Sequence, residues 1–155
     1  MCLILACGDP PKKIGIEGVC RKTLTALGVE YLDLYLIHAP FQSNGDPWIT
    51  PIDTIWSQME ALVDAGLVRA IGVSNWLVKD LERVYASARI KPACNQIEAH
   101  PYLQQDDLFQ YCSERNIVVT AYAPLASITK VRDGPVGTSA LSASMRRIAL
   151  HVYHL

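Results

Sequence analysis

Five residues with side chains suited to chemistry stand at the downstream ends of short apolar runs. His38 closes the stretch Tyr31-Leu-Asp-Leu-Tyr-Leu-Ile-His-Ala-Pro40, Ser74 and Asn75 close the run from Val68 to Val73, Gln96 lies near the end of Ala93 to Ile97, and Tyr122 ends Ile117 to Tyr122. A histidine can hold or release a proton near neutrality. A hydroxyl and two carboxamides offer donors and acceptors to an uncharged polar ligand, and a tyrosine offers both a ring face and a phenol. Each also has a plainer reading. His38 could be a satisfied strand-end histidine, Ser74 and Asn75 caps of a helix beginning near Trp76, Gln96 a buried structural amide, and Tyr122 a core residue.

The elements that must position these residues are legible from periodicity. Leu32 to Ile37 carries apolar residues in both alternation classes, as a strand buried on both faces does, with Asp33 interrupting its start and Pro40 ending the ladder. Ile16, Val19, Cys20, Leu24 and Leu27 fall at helical spacing, and Gly28 is placed to end that helix in a left-handed conformation. Asn44-Gly-Asp-Pro47 marks a turn in the loop from Ala39 to Thr50. Thr50 as N-cap, Pro51 as first helical residue and Asp53 in the first turn then predict a helix with Ile52, Ile55, Trp56, Met59, Leu62 and Val63 on one face and Gly66 at its end.

A third helix is expected from Leu77, Leu81, Val84 and Tyr85, and a fourth from Leu108, Tyr111 and Cys112 behind Asp106 and Asp107. The alternation of four helices with four strands implies right-handed crossovers and a parallel sheet. Periodicity alone leaves half of an eight-stranded barrel and a small doubly wound sheet equally open. Either architecture gathers chemistry at the C-terminal ends of its strands.

Composition narrows the classes. The 155 residues are half apolar with a formal charge of -1 and no cluster of Lys and Arg, which argues against a nucleic-acid or anionic-membrane partner. The apolar Met1-Cys-Leu-Ile-Leu-Ala-Cys7 has no basic flank and is too short for a signal peptide or a membrane span, so it reads as a broken strand or a start-site remnant. Five cysteines without a Cys-x-x-Cys pair argue against a disulfide scaffold or a zinc site and fit a reducing cytoplasm. No metal is expected.

The strand ending on His38 resembles the fourth-strand signature of the aldo-keto reductases. Three further stretches resemble that family in the same order: Gly66-Leu-Val-Arg-Ala-Ile-Gly-Val-Ser-Asn-Trp76, Asn95-Gln-Ile-Glu-Ala-His-Pro-Tyr-Leu103 and Ile117-Val-Val-Thr-Ala-Tyr-Ala-Pro-Leu125. The resemblance, nearest to fungal-type ketone and aldehyde reductases, covers residues 16–134 and leaves a tail at 135–155, within a single truncated domain. It implies an α/β fold, a partial (β/α)8 barrel holding strands 4 to 7, and NADPH-dependent reduction of an aldehyde or ketone.

By the same resemblance His38 is catalytic, orienting the substrate carbonyl, and Ser74, Asn75 and Gln96 meet the carboxamide of the nicotinamide. Tyr122 would stack on the nicotinamide ring. Ala39, where the family more often has tryptophan, and Trp48 would line the substrate pocket. The family's proton-donating tyrosine and its partner aspartate and lysine should lie upstream, but no tyrosine precedes Tyr31, and Asp9, Lys12 and Lys13 do not match the family's motifs. The expectation is therefore an incomplete chain, inactive alone. The alternative is a non-catalytic half-barrel that binds a partner or a second copy of itself through open strand edges. His100 is expected to serve its loop, and Leu141, Met145, Ile148 and Val152 to form a weak terminal helix beside His151 and His154.

Overall fold

A computed structural model describes residues 2–5, 14–41 and 49–125. The elements run β1 (Cys2–Leu5), α1 (Gly15–Leu27), β2 (Leu32–Ile37), α2 (Ile52–Asp64), β3 (Val68–Ser74), α3 (Val78–Ser87), β4 (Cys94–Glu98), α4 (Asp106–Ser113) and β5 (Val118–Tyr122). All strands pair in parallel in the order β1-β2-β3-β4-β5. A doubly wound sheet reverses its order at a switch point; this one never does, as in a barrel wound in one direction. The expected four strands are present, each bound within one residue of the expectation, and β1 adds a fifth. Its backbone pairs Cys2 with Leu34 through Leu5 with Ile37, so Cys2–Leu5 of the N-terminal apolar run is a strand.

One core lies between the sheet and its helices. Ile16, Cys20 and Leu24 of α1, Ile55, Trp56, Met59 and Leu62 of α2, Leu81 and Val84 of α3, and Leu108 and Cys112 of α4 pack on Tyr35, Ile37, Ile71, Val73 and Ile97. Residues of the opposite parity, Leu34, Leu36, Gly72, Ser74, Cys94, Gln96, Thr120 and Tyr122, share the other sheet face, as the register of neighbouring strands requires. Tyr35 is buried in the core with its hydroxyl unpartnered among the described residues, and burial holds its phenol well above the ordinary range.

Three helices end alike. Gly28, Gly66 and Asn116 adopt left-handed φ of 67°, 67° and 55°, and the next residue reaches back in each case: Val29 to Leu24, Leu67 to Leu62 and Ile117 to Cys112. These six-to-one bonds consume carbonyls that the helix end would otherwise leave unpaired. Gly28 and Gly66 act as expected; Asn116 takes the same role because its short polar side chain tolerates the left-handed region. The exit of α3 is different. There Glu60 Oε1 accepts the backbone N–H groups of Arg89 and Ile90 at 2.7 and 2.9 Å, while Trp56 Nε1 donates to Ile90 O at 2.9 Å. One turn of α2 thus clamps the chain entering β4.

Some local expectations fail for identifiable reasons. Helix α2 begins at Ile52, and Pro51, with ψ of 138°, occupies the capping position without a side-chain cap bond, so Thr50 is not the N-cap. Leu27 and Leu77 are exposed at the helix ends rather than buried with their stripes. Tyr31 lies outside β2, with the Arg69 guanidinium 4.1 Å from its ring centre and Arg69 also bonded to Asp33. Asp9, Lys12, Lys13, Trp48, His151, His154 and the expected terminal helix fall outside the described residues. Among the described residues no helix is long and apolar enough to cross a membrane, and no group of three metal-ligating side chains occurs.

Burial pushes the Cys112 thiol up to about 11, against an opposing hydrogen bond from Asn95. Above the ordinary thiol value the unfolded chain releases this proton while the folded chain keeps it, so stability is unaffected below pH about 9 and falls between about 9 and about 11. Urea unfolding at pH 8.5 and 10.5 should show the loss, and Cys112→Ala should reduce its size. An identical loss in the variant would assign it wholly to other groups.

Candidate active site

The C-terminal edge of the sheet collects the five residues. The β2 to β3 ladder ends at the pair Ile37 and Val73, leaving His38 and Ser74-Asn75 just at its rim. Ser74 pairs with Gln96 across β3 and β4, and Glu98 with Tyr122 across β4 and β5. The parity that puts Ser74, Gln96 and Tyr122 on the face opposite the helices also runs through Leu34 and Leu36 to His38.

Hydrogen bonds draw the rim together. Ser74 is buried and its Oγ donates to Gln96 O at 2.7 Å. Asn75, at φ 61°, donates its backbone N–H to the same carbonyl at 2.8 Å. Its Nδ2 donates to His38 O at 2.9 Å and to Ser74 Oγ at 3.2 Å, and its Oδ1 accepts from the Tyr122 hydroxyl at 2.7 Å. Asn75 therefore does not cap α3. That helix starts at Val78, where the Leu77 N–H donates to Asp80 Oδ2 at 3.2 Å.

Counting lone pairs shows what the cluster can still bind. Both Asn75 side-chain protons and the Ser74 hydroxyl proton are committed, so Ser74 Oγ and Asn75 Oδ1 each keep one acceptor position. The half-buried Gln96 side chain has no hydrogen-bond partner among the described residues and can donate or accept. Two acceptors beside a free amide suit a neutral primary carboxamide. Tyr122 is 39 % exposed. Burial, with Glu98 nearby, raises its phenol above the ordinary value, so at neutral pH the hydroxyl keeps the proton it donates to Asn75.

Of the expected substrate-pocket residues, Ala39 is buried directly after His38, and Trp48 is outside the described residues. His100 serves its loop: its Nδ1 accepts from the Tyr102 N–H, its backbone pairs with Leu103, and its Nε2 lies 3.3 Å from Glu98 Oε1. Two residues beyond the expected set matter here. Glu98 sits opposite Tyr122, and alternation from Gln96 would have found it. Asn95 is fully buried and exchanges bonds with the backbone of Trp76, Nδ2 to the carbonyl at 2.9 Å and the N–H to Oδ1 at 3.4 Å. No periodic signal distinguishes it from an ordinary strand residue.

Comparison with known proteins identifies the family. The model of the aldo/keto reductase family matches residues 11–142. An aldo/keto reductase of Synechocystis sp. is 49 % identical over 119 residues, covering 69 % of this chain and 36 % of its own length. Aldose reductase B of Dictyostelium discoideum is 45 % identical over 124 residues, covering 68 % and 40 %. The solved aldose reductase of Giardia lamblia superimposes with a TM-score of 0.71 at 35 % identity, covering 79 % of this chain and 44 % of that one. The chain thus spans less than half the length of these three relatives, and its sheet corresponds to part of the aldo-keto reductase barrel. The family model across most of the chain, the identities and the shared parallel sheet lead to one assignment: the chain belongs to the aldo/keto reductase family.

Proposed function

We propose that these residues form the histidine and carboxamide-binding side of a site for NADPH-dependent reduction of an aldehyde or ketone. The observation that carries the reading is that four consecutive strands deliver His38, Ser74, Asn75, Gln96 and Tyr122 to one rim, where Asn75 ties them together. The polar set fits a nicotinamide: Ser74 and Asn75 as acceptors and Gln96 as acceptor or donor can meet its carboxamide, and the exposed Tyr122 can lie against the heterocycle. When bound, the dinucleotide supplies the hydride. His38 orients the carbonyl by a hydrogen bond, and Ala39 leaves room beside it for a bulky ketone, with Trp48 as a further lining residue. Proton donation falls to a tyrosine, with its aspartate and lysine, from a part of the barrel outside the residues matched here.

The test has two stages. NADPH titrated into the chain should change its own fluorescence on binding, and Tyr122→Ala should weaken that binding about tenfold through loss of the stacking surface. In a longer product that includes the rest of the barrel, NADPH should be oxidised in the presence of an aldehyde or dicarbonyl. His38→Ala should lower that rate about a hundredfold. A longer product that binds no NADPH, or binds it and reduces no carbonyl, would sink the reading.

A second reading is favoured by β5. Its residues alternate exposed and half-buried, with Val118 and Tyr122 37 % and 39 % exposed, and no described strand pairs with its outer edge. Such an edge invites another strand, so self-association is the non-catalytic alternative. Size-exclusion chromatography showing a stable monomer of 17.1 kDa would remove the need for it.

A further inference from the structure

Asn75 reaches the ends of four successive strands. Its N–H bonds to Gln96 O on β4, its Nδ2 to His38 O beyond β2 and to Ser74 Oγ on β3, and its Oδ1 to the Tyr122 hydroxyl on β5. The His38 carbonyl lies one residue past the last pair of the β2 and β3 ladder, and there it accepts the Asn75 amide. Orientation of an asparagine amide is weakly determined by its own torsion, because that terminal rotation is broad. Here the hydroxyl of Tyr122 holds one end of the planar group and thereby aligns the other end with His38.

We propose that Asn75 is a positioning residue that couples the Tyr122 hydroxyl to the backbone of His38. This role is separate from the ring of Tyr122 as a stacking surface and from the spare lone pair of Asn75 as a ligand contact. It rests on the reductase reading only in giving His38 a reaction to serve. The left-handed backbone of Asn75 is part of the device. It turns the chain so that the N–H faces β4 while the side chain crosses back toward β2, a conformation asparagine tolerates better than most residues.

Hydrogen exchange read by mass spectrometry on the full 155-residue chain, without nucleotide, tests the coupling. Tyr122→Phe keeps the ring and removes only the hydroxyl, so folding should survive. It should speed exchange in the segment 36–41 about threefold to tenfold, the effect of losing one net hydrogen bond. Exchange in α1, on the other side of the sheet, should not change. Asn75→Ala should speed the same segment at least as much, and Tyr122→Phe added to Asn75→Ala should produce no further increase there, because the path is already cut. Asn75→Asp, which keeps the acceptor for Tyr122 but loses the donor for His38, should behave like Asn75→Ala at 36–41.

Additive effects of the two substitutions would overturn the proposal, as would a Tyr122→Phe effect confined to 118–125 or spread equally over α1. The reductase reading fails by a different result, absence of NADPH binding and carbonyl reduction in the longer product. That failure would leave a measured coupling intact.

Discussion

Gly72→Ala should destabilise the chain by about 3 kcal/mol in urea unfolding, at the upper end of the usual cost of overpacking. A Cβ at this position would stand 2.6 Å from the carbonyl oxygen of Cys94, 3.1 Å from its nitrogen and 2.7 Å from Leu36 Cδ2. Two of those atoms are backbone of the neighbouring strand, so no rotamer change relieves the contact. The ladder between β3 and β4 consists of only two registered pairs, Val73 with Asn95 and Ser74 with Gln96. Pushing β4 away therefore also moves the Gln96 carbonyl that holds Ser74 and Asn75. Gly28→Ala is the control: its φ of 67° is unfavourable for alanine, but nothing lies within 4 Å of the added carbon, and its cost should be about 1 kcal/mol. Equal costs for the two substitutions would show that steric approach at Gly72 is not what matters.

Asn95→Ala should cost nearly as much, about 3 kcal/mol, by a different route. The substitution leaves the buried N–H and carbonyl of Trp76 without the partners they have at 3.4 and 2.9 Å, and opens a void beside Cys112. Asn95→Asp separates the two contributions. It fills the space and keeps the acceptor, but at neutral pH it sets a carboxylate against the Trp76 carbonyl. Its stability should recover as the pH falls and the carboxyl becomes protonated, since the acid form can donate where the amide did. An Asn95→Asp variant as stable as the parent at pH 7 would contradict this account. Either substitution should also loosen the turn that follows Asn75, because Trp76 is the first residue of that turn.

Much of this was readable beforehand because it depends on local pattern. Parallel β/α alternation, the helix-ending glycines and the positions of His38, Ser74, Gln96 and Tyr122 at strand ends all follow from periodicity and turn chemistry. The choice of a barrel over a doubly wound sheet came from motif resemblance, and the strand order then supplied an independent physical reason. What escaped was long-range. The pairing of Cys2–Leu5 with β2, the bonds from Glu60 to Arg89 and Ile90, and the exchange between Asn95 and Trp76 join residues about twenty or more positions apart. Nothing in a window of ten residues announces them. Asn75 was legible as a polar strand-end residue but not as the one that binds four strands together, since that depends on a left-handed backbone set by its neighbours in space.

The turns at Gly28, Gly66 and Asn116 divide the molecule into an end that resists editing and an end that accepts it. Each turn delivers the next strand into register within a few residues, and adding or deleting one residue there would exchange the two faces of that strand. The connections at the opposite end carry no such constraint, since a loop that leaves a strand and enters a helix can change length without shifting the strand behind it. Diversification of this chain toward new ligands is thus channelled to the segments after His38, Asn75, Glu98 and Tyr122, where altered loops would meet the same fixed set of polar groups.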